Sequence, residues 1–467
     1  MESLSAIEQY ADQISRSAKT LSDYLRANNQ PQPSFERYAP TSTLPASAPE
    51  DIALARRDLT EASFKIFQLA VGPSEFLPHL TANFHVLFAL RWLCHFQIFS
   101  LVPLHGSISY TDLAAEAKVS ERRLKSVARM AMTNNLFSEP TADTIAHSAI
   151  SALLVTNPNF FDWARFMTEA SIPTAAKLVE ACERWPDSVK KNETAYNIAF
   201  DHDLPFFDHL AQDPERTRQF SGYMKSVTNS EGTDLKHLVA GFDWAKLGKA
   251  TIVDVGGSTG HSSVELAKAY PDLDFVVQDL PEVVANGPEA LQSQGLAESV
   301  TNRIRFQEHS FFEPEPLHGA DVYLLRMILH DWPENEALSI VSNLIPALKA
   351  CSRIIIMDTV LPASGQIPAV QERLLRVRDL TMLQVFNSLE RATEDWTSLF
   401  KRADPRLKLK SSVQPLGSTM NVLEVVLEDE KQEVNQSSSE QVIESATALE
   451  GSLELLSATP VEIRAEL

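Results

Sequence analysis

Between residues 246 and 428, short apolar runs alternate with amphipathic stretches, and this alternation constrains the fold more than any other feature of the chain. Runs rich in Val, Ile and Leu occupy 251–255, 274–279, 303–307, 322–327 and 353–358, with helical patterns between several of them. Parallel strands need long crossovers, usually helices, so the pattern predicts a parallel sheet covered by helices on both faces. Two further runs, 407–413 and 418–427, flank Pro415-Leu416-Gly417 and predict a terminal antiparallel hairpin.

The rest of the chain reads as helical. Leu4, Ile7, Tyr10, Ala11, Ile14, Leu21 and Leu25 recur at helical steps, and Pro31, Pro33, Pro40, Pro45 and Pro49 then mark a linker, which gives a first segment over 1–50. A second unit spans 51–155. Within it, Ser109 and Asp112 open one helix, Arg122 to Thr133 form the next, and Leu136-Phe137 with Thr144-Ile145-Ala146 are expected as wing strands. That order has a winged-helix look. A helical, aromatic-rich region follows over 156–245, then the α/β unit over 246–428. Residues 429–467 are polar, Ser- and Glu-rich and free of aromatics, and are expected to be an acidic, disordered tail.

The formal net charge of -21 argues against nucleic acid and anionic membranes as partners. Arg122, Arg123, Lys125 and Arg129 make only a short basic face. The three cysteines, Cys94, Cys182 and Cys351, are far apart, so neither a disulfide framework nor a zinc site is expected. The apolar stretch 84–102 is interrupted by His85, Arg91, His95 and Gln97 and reads as a buried helix. No apolar signal core opens the chain, and a cytoplasmic protein is expected.

The sharpest local signal is Val253-Asp254-Val255-Gly256-Gly257-Ser258-Thr259-Gly260, an apolar strand running through an acid into a glycine turn before a helix. Glycine allows a tight turn and a close approach to a ligand. Asp279, at the end of the second strand, is placed to accept hydrogen bonds from a ribose. The dinucleotide pattern GxGxxG is missing, which disfavours a nicotinamide enzyme. Taken alone, the loop is also compatible with an ordinary strand-to-helix turn.

Three later segments add to this loop: Arg326-Met327-Ile328-Leu329-His330-Asp331-Trp332, Met357-Asp358-Thr359, and Arg378-Asp379 through Asn387-Ser388-Leu389-Glu390-Arg391. Together they resemble the caffeic-acid-type family of S-adenosylmethionine (SAM)-dependent O-methyltransferases over residues 60–427, especially fungal members that methylate polyketide phenols of the sterigmatocystin and emodin type. The resemblance implies a Rossmann-like SAM-dependent methyltransferase domain with the terminal hairpin, preceded by a mainly helical, winged-helix-like dimerisation domain. It implies methylation of an aromatic hydroxyl with SAM as cofactor, a small-molecule aromatic substrate, a homodimer and no metal. His330 would be the general base, flanked by Glu390 and Asp358. Asp358 is one methylene shorter than the usual glutamate, so Glu390 is the expected principal partner. Asp254, Gly256, Gly257, Gly260, Asp279, Leu280, Ser310, Phe311 and Arg326 would form the cofactor site. Ser258, Ser310, Arg326 and Asp358 depart from common residues of the family, and Ser258, Ser310 and Asp358 motivate a second reading, a catalytically weak SAM-binding regulator that keeps the fold.

Phe166, Met167, Met224 and Asn387 are the expected substrate contacts, although the aromatic stretch is also compatible with plain core packing. Asp331 is expected to cap the helix that follows it, and Trp332 to pack.

Overall fold

The computed structural model describes residues 4–45, 47–228 and 230–428. The tail expected at 429–467 lies outside them. The α/β unit holds one seven-stranded sheet: β1 (Ala250–Val255), β2 (Leu273–Asp279), β3 (Ile304–Glu308), β4 (Val322–Arg326), β5 (Arg353–Asp358), β6 (Leu407–Val413) and β7 (Asn421–Leu427), in the order β6-β7-β5-β4-β1-β2-β3. Strands β1 to β5 are parallel, and the β6–β7 hairpin adds antiparallel to β5. Because side chains alternate across a strand, each central strand feeds two cores. Val253, Val255, Tyr323, Leu325 and Ile356 pack with Trp396 and Phe400 on one face. Ile252, Phe275, Val277, Leu324 and Met357 pack with Trp244 and Leu266 on the other. Both β2 and β4 flank β1, so the strand order reverses there and leaves a crevice beyond the carboxyl ends of β1 and β4.

Two strand limits differ from expectation for local reasons. β4 stops at Arg326 because Met327 turns into the left-handed region with φ 54°. The last strand starts at Asn421, three residues late. Ser418 is fully buried and its hydroxyl bonds both the N–H and the carbonyl of Met420, while Thr419 donates its backbone N–H to Gly232. The segment is a docking turn.

Helices Ala6–Ala27 and Glu50–Val71 pack through Leu21, Leu25 and Ile52, and Ser5 with Glu8 closes the start of the first as a capping box. The carboxylate of Glu61 reaches across to the α/β unit and accepts the N–H of Val370 at 2.9 Å, in the first turn of the long helix Ala369–Phe386. In the next unit Ser109 caps Tyr110–Ala117 as expected. The wing pairing differs: Thr144–Ile145 pairs with Ile108–Ser109, and only Ser138 bridges to Ala146. Leu136 and Phe137 instead enter the core, where Phe137 stacks on Phe99 with ring centroids 5.0 Å apart.

Helix Lys236–Gly241 seats directly on β7. A Cβ at Gly241 would lie 2.3 Å from a γ-methyl of Val422, a residue 1% exposed that has nowhere to retreat. Gly241→Ala is expected to destabilise the protein by about 1–3 kcal/mol through overpacking, seen as a lower urea midpoint with an unchanged slope.

Candidate active site

The glycine turn after β1 leaves no space for side chains. A Cβ on Gly256 would meet the Ile328 δ-methyl at 2.7 Å, and one on Gly257 would lie 2.6–2.9 Å from the Asp254 carboxyl. Gly256, Ser258 and Gly260 all have positive φ. Asp254 sits beneath this turn, 1% exposed, and accepts a hydrogen bond from the Ser263 hydroxyl at 2.7 Å. Burial pushes its carboxyl up to about 6. It therefore supports the turn from behind, where the sequence reading had it facing the ligand. Asp279 faces the turn from the end of β2. One of its oxygens accepts the Ser258 N–H at 2.9 Å and the other the Leu280 N–H at 2.8 Å, and burial raises its pKa. Each oxygen keeps a free lone pair. Leu280 is exposed beside it. Phe311 approaches the turn, 3.4 Å from the ideal Gly256 Cβ, and the Ser310 carbonyl accepts the N–H of Glu313.

Arg326, at the end of β4, donates from Nη2 to the Thr233 carbonyl at 2.7 Å. Its Nε is buried without a partner among the described residues. Burial lowers its pKa, against the opposing pull of Asp254 and Asp358.

The chain then turns through Met327 into the short helix Leu329–Asp331, which presents His330. Nδ1 of His330 lies 3.2 Å from Glu390 Oε1 and 3.8 Å from Asp358 Oδ1, and Nε2 lies 3.6 Å from Asp331 Oδ1. Asp358 also accepts the His330 backbone N–H at 3.3 Å and the Thr359 N–H at 3.0 Å. The shorter acid thus grips the main chain and Glu390 grips the ring. Burial alone would lower the His330 pKa, but Asp358, Asp331 and Glu390 outweigh it and raise it well above the ordinary histidine value. Burial pushes Asp358 up to about 6. The potential ligand atoms of His330, Asp358 and Glu390 lie within 4.8 Å of one another, close enough for a divalent ion as well as for an acid–base cluster.

The two motifs that carry the cluster are bonded to each other. Ser388 donates to the carbonyls of His330 (2.7 Å) and Trp332 (3.0 Å), and Arg391 to those of Leu329 (2.7 Å) and Trp332 (3.2 Å). Asp379 accepts the Glu390 N–H at 3.1 Å.

Other expected contacts fall in different places. Phe166 stacks on Tyr223 with centroids 5.2 Å apart and planes 10° from parallel, and Met224 follows Tyr223 on helix Pro214–Thr228. Met167 turns away and packs against the N-terminal helical core. Asn387, in a left-handed conformation at the end of Ala369–Phe386, donates its amide to the carbonyls of Lys190 (2.7 Å) and Glu193 (3.0 Å), so it ties down a loop. Asp331 caps nothing: Pro333 occupies the cap position and Asp331 points at the imidazole. Trp332 packs edge-on against Phe311 and Phe312, with Lys191 3.5 Å above its ring. Arg378 and Tyr223 were assigned no role from the sequence, yet Arg378 lies near Glu390 and Asp358, and Tyr223 lies near Arg378. Arg378 was visible as a cation beside Asp379, two residues after Arg376, but nothing in the spacing showed what it meets.

The crevice fits SAM on the structure's own terms. The turn is cleared of side chains, Asp279 offers free lone pairs for hydroxyls, and the orphaned Arg326 Nε is a buried donor awaiting an acceptor. Gly257→Ala must displace the Asp254 carboxyl and is expected to weaken SAM binding about tenfold or more, a change of roughly 1.4 kcal/mol or greater, measurable by calorimetry.

Comparison with known proteins agrees. Residues 185–404 match the O-methyltransferase domain family, and residues 4–71 match the trypacidin cluster transcriptional coactivator tpcD N-terminal domain. The chain is 54% identical to O-methyltransferase aurJ of Gibberella zeae over 92% of this chain and 99% of that one. It is 51% identical to O-methyltransferase aoiF of Aspergillus oryzae over 90% and 99%. Among solved structures it resembles OxaC in complex with sinefungin and meleagrin, with a TM-score of 0.69 at 21% identity, covering 91% of this chain and 99% of that chain. It also resembles LepI in complex with SAM, with a TM-score of 0.65 at 25% identity, covering 80% and 94%. The chain therefore belongs to the family of SAM-dependent O-methyltransferases of fungal secondary metabolism.

Proposed function

We propose that this methyltransferase acts on a phenolic hydroxyl of an aromatic polyketide-type metabolite and that His330 is its general base. The observation that carries the reading is the 3.2 Å contact between His330 Nδ1 and Glu390 Oε1. With Nδ1–H donated to the carboxylate, Nε2 keeps its lone pair and can accept the substrate proton. SAM supplies an electrophilic methyl group on a sulfonium centre. The chain's own residues hold the acceptor and take its proton. A free phenol has a pKa of about 10 and free imidazole about 6.5, so transfer is uphill. Three carboxylates that raise His330 narrow that gap. Tyr223, backed by the buried Phe166, suits a planar ring, and Asp279, Leu280, Phe311, Arg326 and the glycine turn take the donor.

A raised pKa has a stated consequence. The imidazole works only when neutral, so activity should rise with pH along a limb centred above 6.5. Glu390→Gln removes a negative neighbour, which lowers the His330 pKa. The limb should move to lower pH while the plateau falls, because the ring loses its tutored tautomer. His330→Ala should cut turnover by about 10²–10⁴-fold with SAM affinity nearly unchanged. Near-normal turnover in that variant sinks the base assignment, and SAM binding without transfer to any phenol would favour the non-catalytic regulator.

The segment 51–155 we assign to homodimerisation. Helix Phe76–His95 leaves Phe76, Leu77, Leu80, Phe84 and Phe88 exposed in one stretch, with Leu77 67% exposed. An apolar stripe of this extent marks an interaction face. Lys125 and Arg129, by contrast, are already paired with Glu121, Glu139 and Asp143, which leaves little for a phosphate backbone. Among the described residues no helix is long and apolar enough to cross a membrane. Leu77→Glu with Leu80→Glu should convert a dimer to a monomer in light scattering, and an unchanged mass would refute this face.

A further inference from the structure

Near His330, two polar side chains have almost nothing to bond. Arg378 lies midway along Ala369–Phe386, half-buried, close enough to Glu390 and Asp358 to feel their charge. It nevertheless makes no ion pair within 4.0 Å among the described residues, and its one hydrogen bond, to the Thr359 hydroxyl, is 3.5 Å long. Tyr223 faces it from helix Pro214–Thr228. The Tyr223 hydroxyl has no hydrogen-bond partner among the described residues. Neither group's free polar atoms are sealed from solvent, unlike the orphaned Nε of Arg326 or Oε2 of Glu390. Tyr223 also stacks on Phe166, which is itself buried in a core cluster with Tyr196, Phe206 and Phe386, so Tyr223 is the partly exposed ring of the pair.

A guanidinium kept out of contact with nearby carboxylates keeps its paired N–H donors for something else. Its fork matches two oxygens held a short distance apart, and charge-assisted bonds of this kind are about twice as strong as neutral ones. A tyrosine hydroxyl adds a third donor on the same side. A planar ligand lying beside Tyr223 with one oxygen at His330 would bring its neighbouring oxygen to this pair.

We propose that Arg378 and Tyr223 form a subsite for a second oxygen of the acceptor, so that the preferred substrate is a phenol bearing a carbonyl or ionised oxygen on the adjacent or peri position. The inference rests on the proposed phenol-methylating function and deepens it. Arg378 then has two effects. It selects the acceptor by its oxygen pair, and it stabilises the charge that builds on the phenolic oxygen as the proton leaves for His330.

The test uses the full chain, saturated with the product S-adenosylhomocysteine so that no reaction occurs, and two isomeric probes. In 1-hydroxyanthraquinone the hydroxyl lies peri to a carbonyl, and in 2-hydroxyanthraquinone it does not; area and composition are the same. Wild-type protein should bind the peri isomer roughly tenfold or more tightly, in line with a charge-assisted pair of bonds. Arg378→Met should erase the preference, Arg378→Lys should restore part of it, and Tyr223→Phe should reduce it by a smaller factor while keeping the stack. If Arg378→Met fails to fold, the Lys and Phe variants still decide the matter. Equal affinity of wild-type protein for the two isomers, binding of neither, or a preference that survives all three substitutions overturns the subsite. Turnover of a phenol panel with SAM is scored separately. If His330→Ala abolishes methylation while the isomers bind alike, the methyltransferase reading stands and only the subsite falls. If the preference depends on Arg378 but no phenol is methylated, the functional reading fails and the subsite remains.

Discussion

Three carboxylates gathered around one buried imidazole are the constraint on which the rest of the structure turns. Asp331, Asp358 and Glu390 approach His330 from three elements, and groups so poorly hydrated hold charge only when each is bonded or faced by an opposite charge. The fold meets that demand with main-chain contacts. Asp358 takes two backbone N–H groups, Asp379 fixes the backbone of Glu390, and Ser388 with Arg391 satisfies the three carbonyls of the His330 turn. The left-handed Met327 is what directs the chain off β4 into that clasp. The result is a histidine whose affinity for protons is set by neighbours it cannot escape.

The donor crevice is built by a different economy, the removal of side chains. Asp254 could have been a ligand contact, but buried beneath Gly257 it becomes the platform that shapes the turn, with Ser263 as its fixed partner. Asp279 does the same from the open side through two backbone bonds and retains lone pairs for a ligand. Arg326 links the two halves, feeling Asp254 on one side and Asp358 on the other.

How much of this the sequence disclosed follows from the range of the forces involved. The parallel strands were legible because both their faces are buried, which writes continuous apolar runs into the chain. The glycine turn and the coupling of the His330 and Glu390 motifs were legible because local backbone demands and a known pattern coincide. What failed were the outcomes of long-range packing. Phe166 and Met167 are neighbours on one helix turn, and nothing local says that one meets Tyr223 while the other meets the N-terminal core. Asn387 looked like a pocket residue because its bonds go to carbonyls nearly two hundred positions earlier. Asp331 carried a helix-cap signal that Pro333 usurped. Residues 136 and 137 were taken into the core by Phe99, which lies outside any local window. Arg378 stood in plain view, and its meaning depended on carboxylates from two other segments.

The contact between Glu61 and Val370 ties the amino-terminal hairpin to the helix that bears Arg378 and ends at Asn387. That helix is a beam with its near end bolted to one unit and its far end to another. On the proposed function, the acceptor side is therefore braced from outside the α/β unit, whereas the donor crevice reaches outside it through the Arg326–Thr233 bond. If the proposed acceptor site holds, changes in the first seventy residues would act on the choice of acceptor through this helix and leave the glycine turn untouched.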